Sequence, residues 1–374
     1  MAGNKQVAPS AEEAEVSIFG PGIGECIVLH LGNFEWLIVD SCVDPKSRNP
    51  IAIQYLKEIG IDVTTAVKCF VITHWHDDHI RGAEKILREC PSAKFVCSVA
   101  LRFREFLELV NLHKTYSSLS ASGLEEFAYI FEELKRRAPG VRPESIGPTN
   151  WASADRLLMR FPENDGSSRA EIYSLSPSDS AITLAFHEIS QLIPQIKTTK
   201  RRAVAQKPNH VSVALWVMVG NSNILLGSDL EYHHDEHLGW KAILLSQTRP
   251  SGRAKIVKVP HHGSENAYCQ EIWSHLLTPN PIALISPFSS SVKPLPSLRD
   301  IERIRAHTPL IFCTGNPCGT RPPRLDSVVE KTIRPIFLTR RAITGPMGHV
   351  RVRYPLKAEE ISPTIETFEG AKQL

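Results

Sequence analysis

Between His74 and His79 the chain reads HWHDDH, three imidazoles and two carboxylates within six residues. Imidazole and carboxylate are good ligands for zinc and manganese, and His and Asp are seldom crowded this densely on a loop otherwise. On an extended backbone alternate residues point to one side, so His74 and His76 can share one cation while Asp78 and His79 serve a second. Two cations about 3.5–4 Å apart can activate a bridging water and stabilise a leaving oxygen. The competing reading is a solvated polar turn with accidental histidines, and the density of donors argues against it.

A dinuclear site needs further donors, and other strand-like ends supply them. Asp229 closes the apolar run ILLGS, where an unpaired buried carboxylate would be costly without a cation. It reads as a bridging ligand, and it can cap a following helix as well. His261 and His262 follow the run KIVKV. One of the two is expected to be a ligand, with His261 the first choice because it is nearer the strand end. His262 would then face the substrate as an acid or hydrogen-bond donor, beside Asp78 as the other catalytic candidate. His210 opens a strand ahead of Asp229 and is a candidate third ligand to the first cation, with neighbouring Asn209 competing for that role or supporting it. Asp40 closes the run WLIV, where a buried carboxylate can hold a ligand imidazole by its other nitrogen.

Other histidines are expected to be plain. His233, His234 and His237 sit at helical spacing on a solvated face, and His30, His113, His187, His275 and His307 are isolated. The glycines of GPGIGE at Gly20 lack the Lys-Ser/Thr ending of a phosphate loop and read as a tight turn.

The elements that must deliver these residues alternate between strand and helix patterns. The runs Cys26–Leu31 and Trp36–Val39 flank Gly32-Asn33, a hairpin signal. Ile51, Ile53, Tyr55, Leu56 and Ile59 recur at helix spacing and stop at Gly60. VKCFVIT has no polar face, as expected inside a sheet covered on both sides, and it leads directly into HWHDDH. A helix from about Gly82 to Glu89 and the strand AKFVCSV follow. Such carboxyl-terminal strand ends are where ligands bind in α/β sheets.

Residues 101–150 change to charged helix and read as an insertion rather than a core element. A strand returns near Ala170, and the basic stretch 195–207 reads as a loop. The second half then repeats the first: two strands joined at Gly220-Asn221 and ending on Asp229, a helix of about fifteen residues, the strand before His261, and further strand and helix patterns. HVRVRY from His349 reads as a late edge strand. The folded domain is expected over 15–356, with polar tails at 1–14 and 357–374, the second of them loose. This weak duplication suggests two sheets flanked by helices.

Composition sets broad limits. Apolar residues make up 42% of the 374, the balance of a soluble globular chain. The formal net charge of +3 is too small to imply a polyanion partner by itself. No apolar run approaches the roughly 20 residues that cross a bilayer, so no membrane partner is expected. The eight cysteines form no C-x-x-C pair, which suggests buried free thiols and a cytoplasmic location.

In order, the chain carries an Asp at a strand end, HxHxDH, a His or Asn, an Asp and a final His. That order resembles the metallo-β-lactamase superfamily. The finer pattern, GIGECIVLH, SLSP, NHVSVAL, LLGSDLE, KVPHHGS and LIFCTG, is similar to the C-terminal hydrolase domain of ComEC-type DNA-uptake proteins and their free-standing relatives. The resemblance implies an α/β fold, a four-layer αββα sandwich with a helical insertion. It implies His74, His76, Asp78, His79, His210, Asp229 and His261 as ligands of two divalent ions, Zn²⁺ or Mn²⁺. It also implies a bridging hydroxide as nucleophile and phosphodiester hydrolysis as the leading chemistry. Two departures stand out: the accompanying membrane channel is absent, and His76 stands where ComEC-type chains tend to have Asp.

The expected function is therefore a phosphodiesterase or nuclease. Lys197–Arg202 and Arg81 are candidate phosphate contacts for a nucleic-acid or nucleotide substrate. The fold also hosts ester, lactone, thioester and lactam hydrolysis, and a non-catalytic, metal-stabilised effector or scaffold is a third reading.

Overall fold

The structure, a computed structural model, describes residues 7–20, 24–116, 123–139, 149–163, 165–199, 208–288, 294–317, 347–357 and 362–374. The strands are β1 Glu13–Gly20, β2 Cys26–His30, β3 Trp36–Val39, β4 Val67–Ile72, β5 Lys94–Ser98, β6 Thr149–Ala152, β7 Arg156–Pro162 and β8 Ser168–Ser174. They continue with β9 Leu215–Val219, β10 Ser222–Leu226, β11 Ala254–Lys258, β12 Leu277–Ile285, β13 Ile311–Cys313, β14 Gly348–Pro355, β15 Thr364–Phe368 and β16 Lys372–Gln373. The helices are α1 Ile51–Glu58, α2 Val63–Ala66, α3 Asp77–Ile80, α4 Ala83–Glu89, α5 Arg104–Tyr116 and α6 Gly123–Arg137. After them come α7 Asp179–Thr199, α8 Gly239–Leu245, α9 Gln270–His275 and α10 Leu298–Arg305.

Two eight-stranded sheets result, in the orders β15-β14-β1-β2-β3-β4-β5-β6 and β16-β13-β12-β11-β10-β9-β8-β7. Each is antiparallel in one part and parallel in the other: β3, β4, β5 and β6 run parallel, as do β10, β11, β12 and β13. The duplication read from the sequence is thus a duplication of sheet topology.

The strand residues explain the layering. Side chains alternate between faces, and in β2, β3 and β4 both parities are apolar. Val28, Ile38 and Phe70 turn toward helices α1, α4, α5 and α6. Leu29, Val39 and Val71 turn toward Val217, Ile224 and Ile256 of the second sheet. On that sheet's far side, Val257 and Ala283 pack with α8 Trp240 and α9 Trp273. Three apolar layers between four structural ones make the chain an αββα sandwich, the fold expected. Strand ends from both sheets then meet along one edge.

Four expectations need correction. Helices α5 and α6 are not an appendage: Phe106, Leu109, Phe127, Phe131 and Leu134 belong to the apolar layer covering the first sheet. Of the charged residues that suggested an insertion, Glu132, Lys135 and Arg136 lie on the outer face of α6, while Glu133 is buried. The helix of about fifteen residues after Asp229 does not form; residues 231–238 are irregular and only α8 is helical, so His233, His234 and His237 lie on a loop. The C-terminal segment is not a loose tail, because β15 pairs with β14 and β16 with β13. That pairing places β14 inside its sheet, between β1 and β15, rather than at an edge.

The basic stretch is described only as far as Thr199, where it continues α7; 200–207 lie outside the described residues, as does much of the Gly20 turn. The seven cysteines among the described residues are all buried. Among these residues no helix is long and apolar enough to cross a membrane.

Candidate metal centre

The centre lies where β3, β4, β10, β11 and β12 end. Asp40 follows β3, residues 73–79 follow β4, Asp229 follows β10, the turn Pro260–Gly263 follows β11, and Ser286 follows β12. Asp40, Ser228, His261 and His262 all carry positive φ, between 45° and 59°. That region is uncommon for residues with a Cβ, and such strain gathers where side-chain direction matters more than backbone comfort. Here it turns the ends of three strands, β3, β10 and β11, sharply toward one region.

Two groups of donors share Asp229: His74 and His76 with Asp229, and Asp78, His79 and His262 with Asp229. In the first, His74 Nε2 lies 3.1 Å from His76 Nδ1 and 3.8 Å from Asp229 Oδ2. In the second, His79 Nε2 is 3.6 Å from Asp78 Oδ2 and 3.4 Å from Asp229 Oδ2. His262 Nε2 is 3.4 Å and 3.7 Å from the same two oxygens. Bonds of 2.0–2.2 Å in tetrahedral array separate neighbouring ligand atoms by about 3.3–3.6 Å. The second group is therefore spaced for a divalent cation. Fully buried His79 Nε2 has no hydrogen-bond partner among the described residues, a costly orphan without one.

The network behind the imidazoles sets their tautomers. Asp40 accepts from Thr73 N at 2.8 Å, from Thr73 Oγ1 at 2.8 Å and from His79 Nδ1 at 2.7 Å. Thr73 Oγ1, its proton given to Asp40, accepts from His74 Nδ1 at 3.0 Å. His262 Nδ1 donates to the Ser286 carbonyl at 2.9 Å. In His74, His79 and His262 alike, Nδ1 is anchored outward and Nε2 faces the centre. Asp40 thus contacts the ring of His79 directly and that of His74 through Thr73.

Charge follows the same division. Burial, with His79 and neighbouring imidazoles, pushes His74 well below the usual histidine range and lowers His76. For His79 burial acts in the same sense, but Asp229, Asp78 and Asp40 outweigh it and hold its pKa well above that range. Burial likewise opposes the charges of Asp78 and Asp229, yet His79 and His262 keep both carboxyls low.

Sequence reasoning placed His261 at the centre ahead of His262, and the geometry reverses them. His262 is buried between the two carboxylates and belongs to the second donor group, whereas His261 is 18% exposed and belongs to neither, although its Nε2 lies 3.8 Å from Asp229 Oδ2. Nearness to the strand end misled because both residues adopt left-handed backbone, which swings the second ring inward. His210 is outside both groups, its Nε2 3.5 Å from Glu188 Oε2. Asn209 is the neighbour brought closer, with Nδ2 3.5 Å from His261 Nε2.

Residues that were not singled out complete the centre. Lys258 Nζ, fully buried, lies 2.7 Å from Glu25 Oε1, donates to the Ser228 carbonyl at 2.9 Å, and stands 3.6 Å from Asp229 Oδ1. Lys258 shares parity with Ile256 in β11, so a lysine aimed into the layer between the sheets was visible in KIVKV. Glu231 Oε1 accepts from Asn209 Nδ2 and Asn266 Nδ2, both at 2.9 Å, and Asn266 Oδ1 faces His261 Nδ1 at 3.0 Å. No spacing rule joins those residues.

No family model matches the chain. Over 70 residues it is 36% identical to the hydroxyacylglutathione hydrolases of Prochlorococcus marinus strains NATL1A and NATL2A, covering 18% of this chain and 26% of each relative. The chain thus spans about a quarter of the length of the curated relatives it matches. Among solved structures, the metallo-β-lactamase fold protein YhfI of Bacillus subtilis aligns with 66% of this chain and 70% of its own, at 11% identity and TM-score 0.33. A HARLDQ-motif mutant metallo-β-lactamase of Cronobacter sakazakii aligns with 59% and 62%, at 10% identity and TM-score 0.32. The assignment of an αββα sandwich stands on the chain's own topology and layering.

Proposed function

We propose that this chain is a metal-dependent hydrolase that holds two divalent cations and cleaves a phosphodiester. The observation that carries the reading is the convergence on one atom: Asp229 Oδ2 lies 3.4–3.8 Å from the Nε2 atoms of His74, His79 and His262. A carboxylate shared by two donor groups is what a paired site requires. His74, His76 and Asp229 would hold one cation, and Asp78, His79, Asp229 and His262 the other. Bound there, the pair would supply an acidified water and polarise the scissile bond.

The protein's own groups do the rest. Asp40 and the Ser286 carbonyl fix the ligand rings, Lys258 holds Asp229 Oδ1 so that Oδ2 faces both groups, and Glu231 and Asn266 fix His261. Partly exposed, with Nε2 toward the centre, His261 takes the role of proton or hydrogen-bond donor to the leaving oxygen. Glu25, Asp40, Asp78, Asp229 and Glu231 against Lys258 leave four net negative charges, which two dications would balance.

A second reading, thioester hydrolysis, is favoured by the 70-residue match to hydroxyacylglutathione hydrolases. A substrate panel separates the two. Metal-loaded protein should cleave bis-nitrophenyl phosphate or a nucleic acid, with the activity lost in Asp78→Ala. Thioester cleavage with no phosphodiester turnover under zinc or manganese would overturn the first reading in favour of the second.

A further inference from the structure

The segment that brings His74, His76 and Asp78 to the centre places Trp75 and Asp77 against helices α5 and α6. Trp75 is buried, its ring 5.4 Å from that of Phe106 in α5. Asp77 Oδ1 accepts from the backbone N–H of Gly123, the first residue of α6, at 2.7 Å. Asp77 therefore serves α6 as a cap supplied from another part of the chain.

The approach is tight. A Cβ placed on Gly123 would lie 1.8 Å from the Trp75 carbonyl oxygen and 2.9 Å from its carbon. The same helix closes the circuit through its other contacts. Glu126 accepts from Glu84 N at 2.9 Å, at the start of α4. At the far end, Arg137 donates to the Ala93 carbonyl at 2.9 Å and the Cys90 carbonyl at 3.1 Å. Helix α6 is a strut from the end of α4 to the back of the histidine loop.

We propose that docking of the α5–α6 pair and metal binding are thermodynamically linked, with Trp75 and Asp77 as the positioning residues that transmit the coupling. The inference rests on reading the loop's inward residues as ligands. A loop gripped from behind holds its ligands in register before the cations arrive, so part of the ordering cost is met by the helices. Linkage is reciprocal: cations must protect the helix pair as much as the helix pair favours cations.

Two measurements on the full chain test it, zinc affinity by competition with a chromophoric chelator and hydrogen exchange with and without zinc. Gly123→Ala replaces the poorest helix former but proline with the best, so on propensity alone α6 should gain. Under the proposal the variant instead weakens zinc by about tenfold and speeds exchange in α6. In the wild type, zinc slows exchange in α6 more than in the remote helix α9. Should Gly123→Ala fail to fold, Asp77→Ala is expected to weaken zinc several-fold, and Asp77→Asn, which keeps the accepting oxygen, to restore most of it. Wild-type zinc affinity in the folded variants, or protection by zinc no greater in α6 than in α9, overturns the linkage. A wild-type chain that binds no zinc at all would sink the metal reading beneath it.

Discussion

Lys258 carries a full charge in a place where no solvent reaches it. Burial disfavours that charge, and Glu25 and Asp229 more than offset the effect, raising its pKa. Replacing it with Met, of similar length, removes the charge with little change in volume and leaves the Glu25 carboxylate buried without its 2.7 Å partner. Breaking a buried pair from one side costs about 3–5 kcal/mol. With an unfolding entropy of about 2.1 cal/mol/K per residue over 374 residues, each kcal/mol moves Tm by about 1.3 °C. Metal-stripped Lys258→Met should therefore melt about 4–6 °C below wild type in a scanning calorimeter. The double variant Glu25→Gln/Lys258→Met removes both charges and should recover most of the loss, because a neutral replacement leaves no uncompensated ion. An unchanged Tm in the single variant, or a double variant no more stable than the single, would refute the claim that these two form one buried pair.

Three further outcomes follow. His262→Ala should reduce bound metal by about one equivalent per chain in elemental analysis, while His261→Ala keeps both cations and loses turnover; the reverse result would reinstate His261 as the ligand. Burial pushes His30 down to about 4 from the usual 6.5, so the unfolded chain takes up that proton first and stability is lost as pH falls from 6.5 toward 4. The loss is about 3 kcal/mol at pH 4, and denaturant midpoints should show it missing from His30→Gln. Deleting residues 358–374 removes β15 and β16 and bares the edges of β14 and β13, so light scattering should reveal concentration-dependent association that the full-length chain lacks.

Much of this cluster could be read in the residues because its donors sit at strand ends, and strand ends are marked by apolar runs meeting polar residues. His74, His76, Asp78, His79 and Asp229, which the structure brings together, were singled out that way, as was Asp40. Choosing between His261 and His262 required backbone dihedrals, which adjacent identical residues do not encode. The same holds for Asn209 and His210, where a short 3-10 turn, Pro208–Val211, decides which side chain faces inward. Helices α5 and α6 were misjudged because charge on the outer face hid the buried stripe of Phe127, Phe131 and Leu134. The final strands were missed because their residues are half exposed, and pairing at a sheet edge leaves little apolar pattern to read.

The ring of His79 touches one carboxylate from each half of the duplicated topology, Asp40 at 2.7 Å on Nδ1 and Asp229 at 3.4 Å from Nε2. One jaw of this clamp follows a strand of the first sheet and the other a strand of the second. The gauge of the clamp is accordingly set by the thickness of the layer between the sheets, where Leu29, Val71, Leu226 and Ile256 lie. Exchanging surface loops would alter what can approach the donors. Thinning that inner layer by a methylene or two would alter how far apart they stand, with no residue of the centre changed.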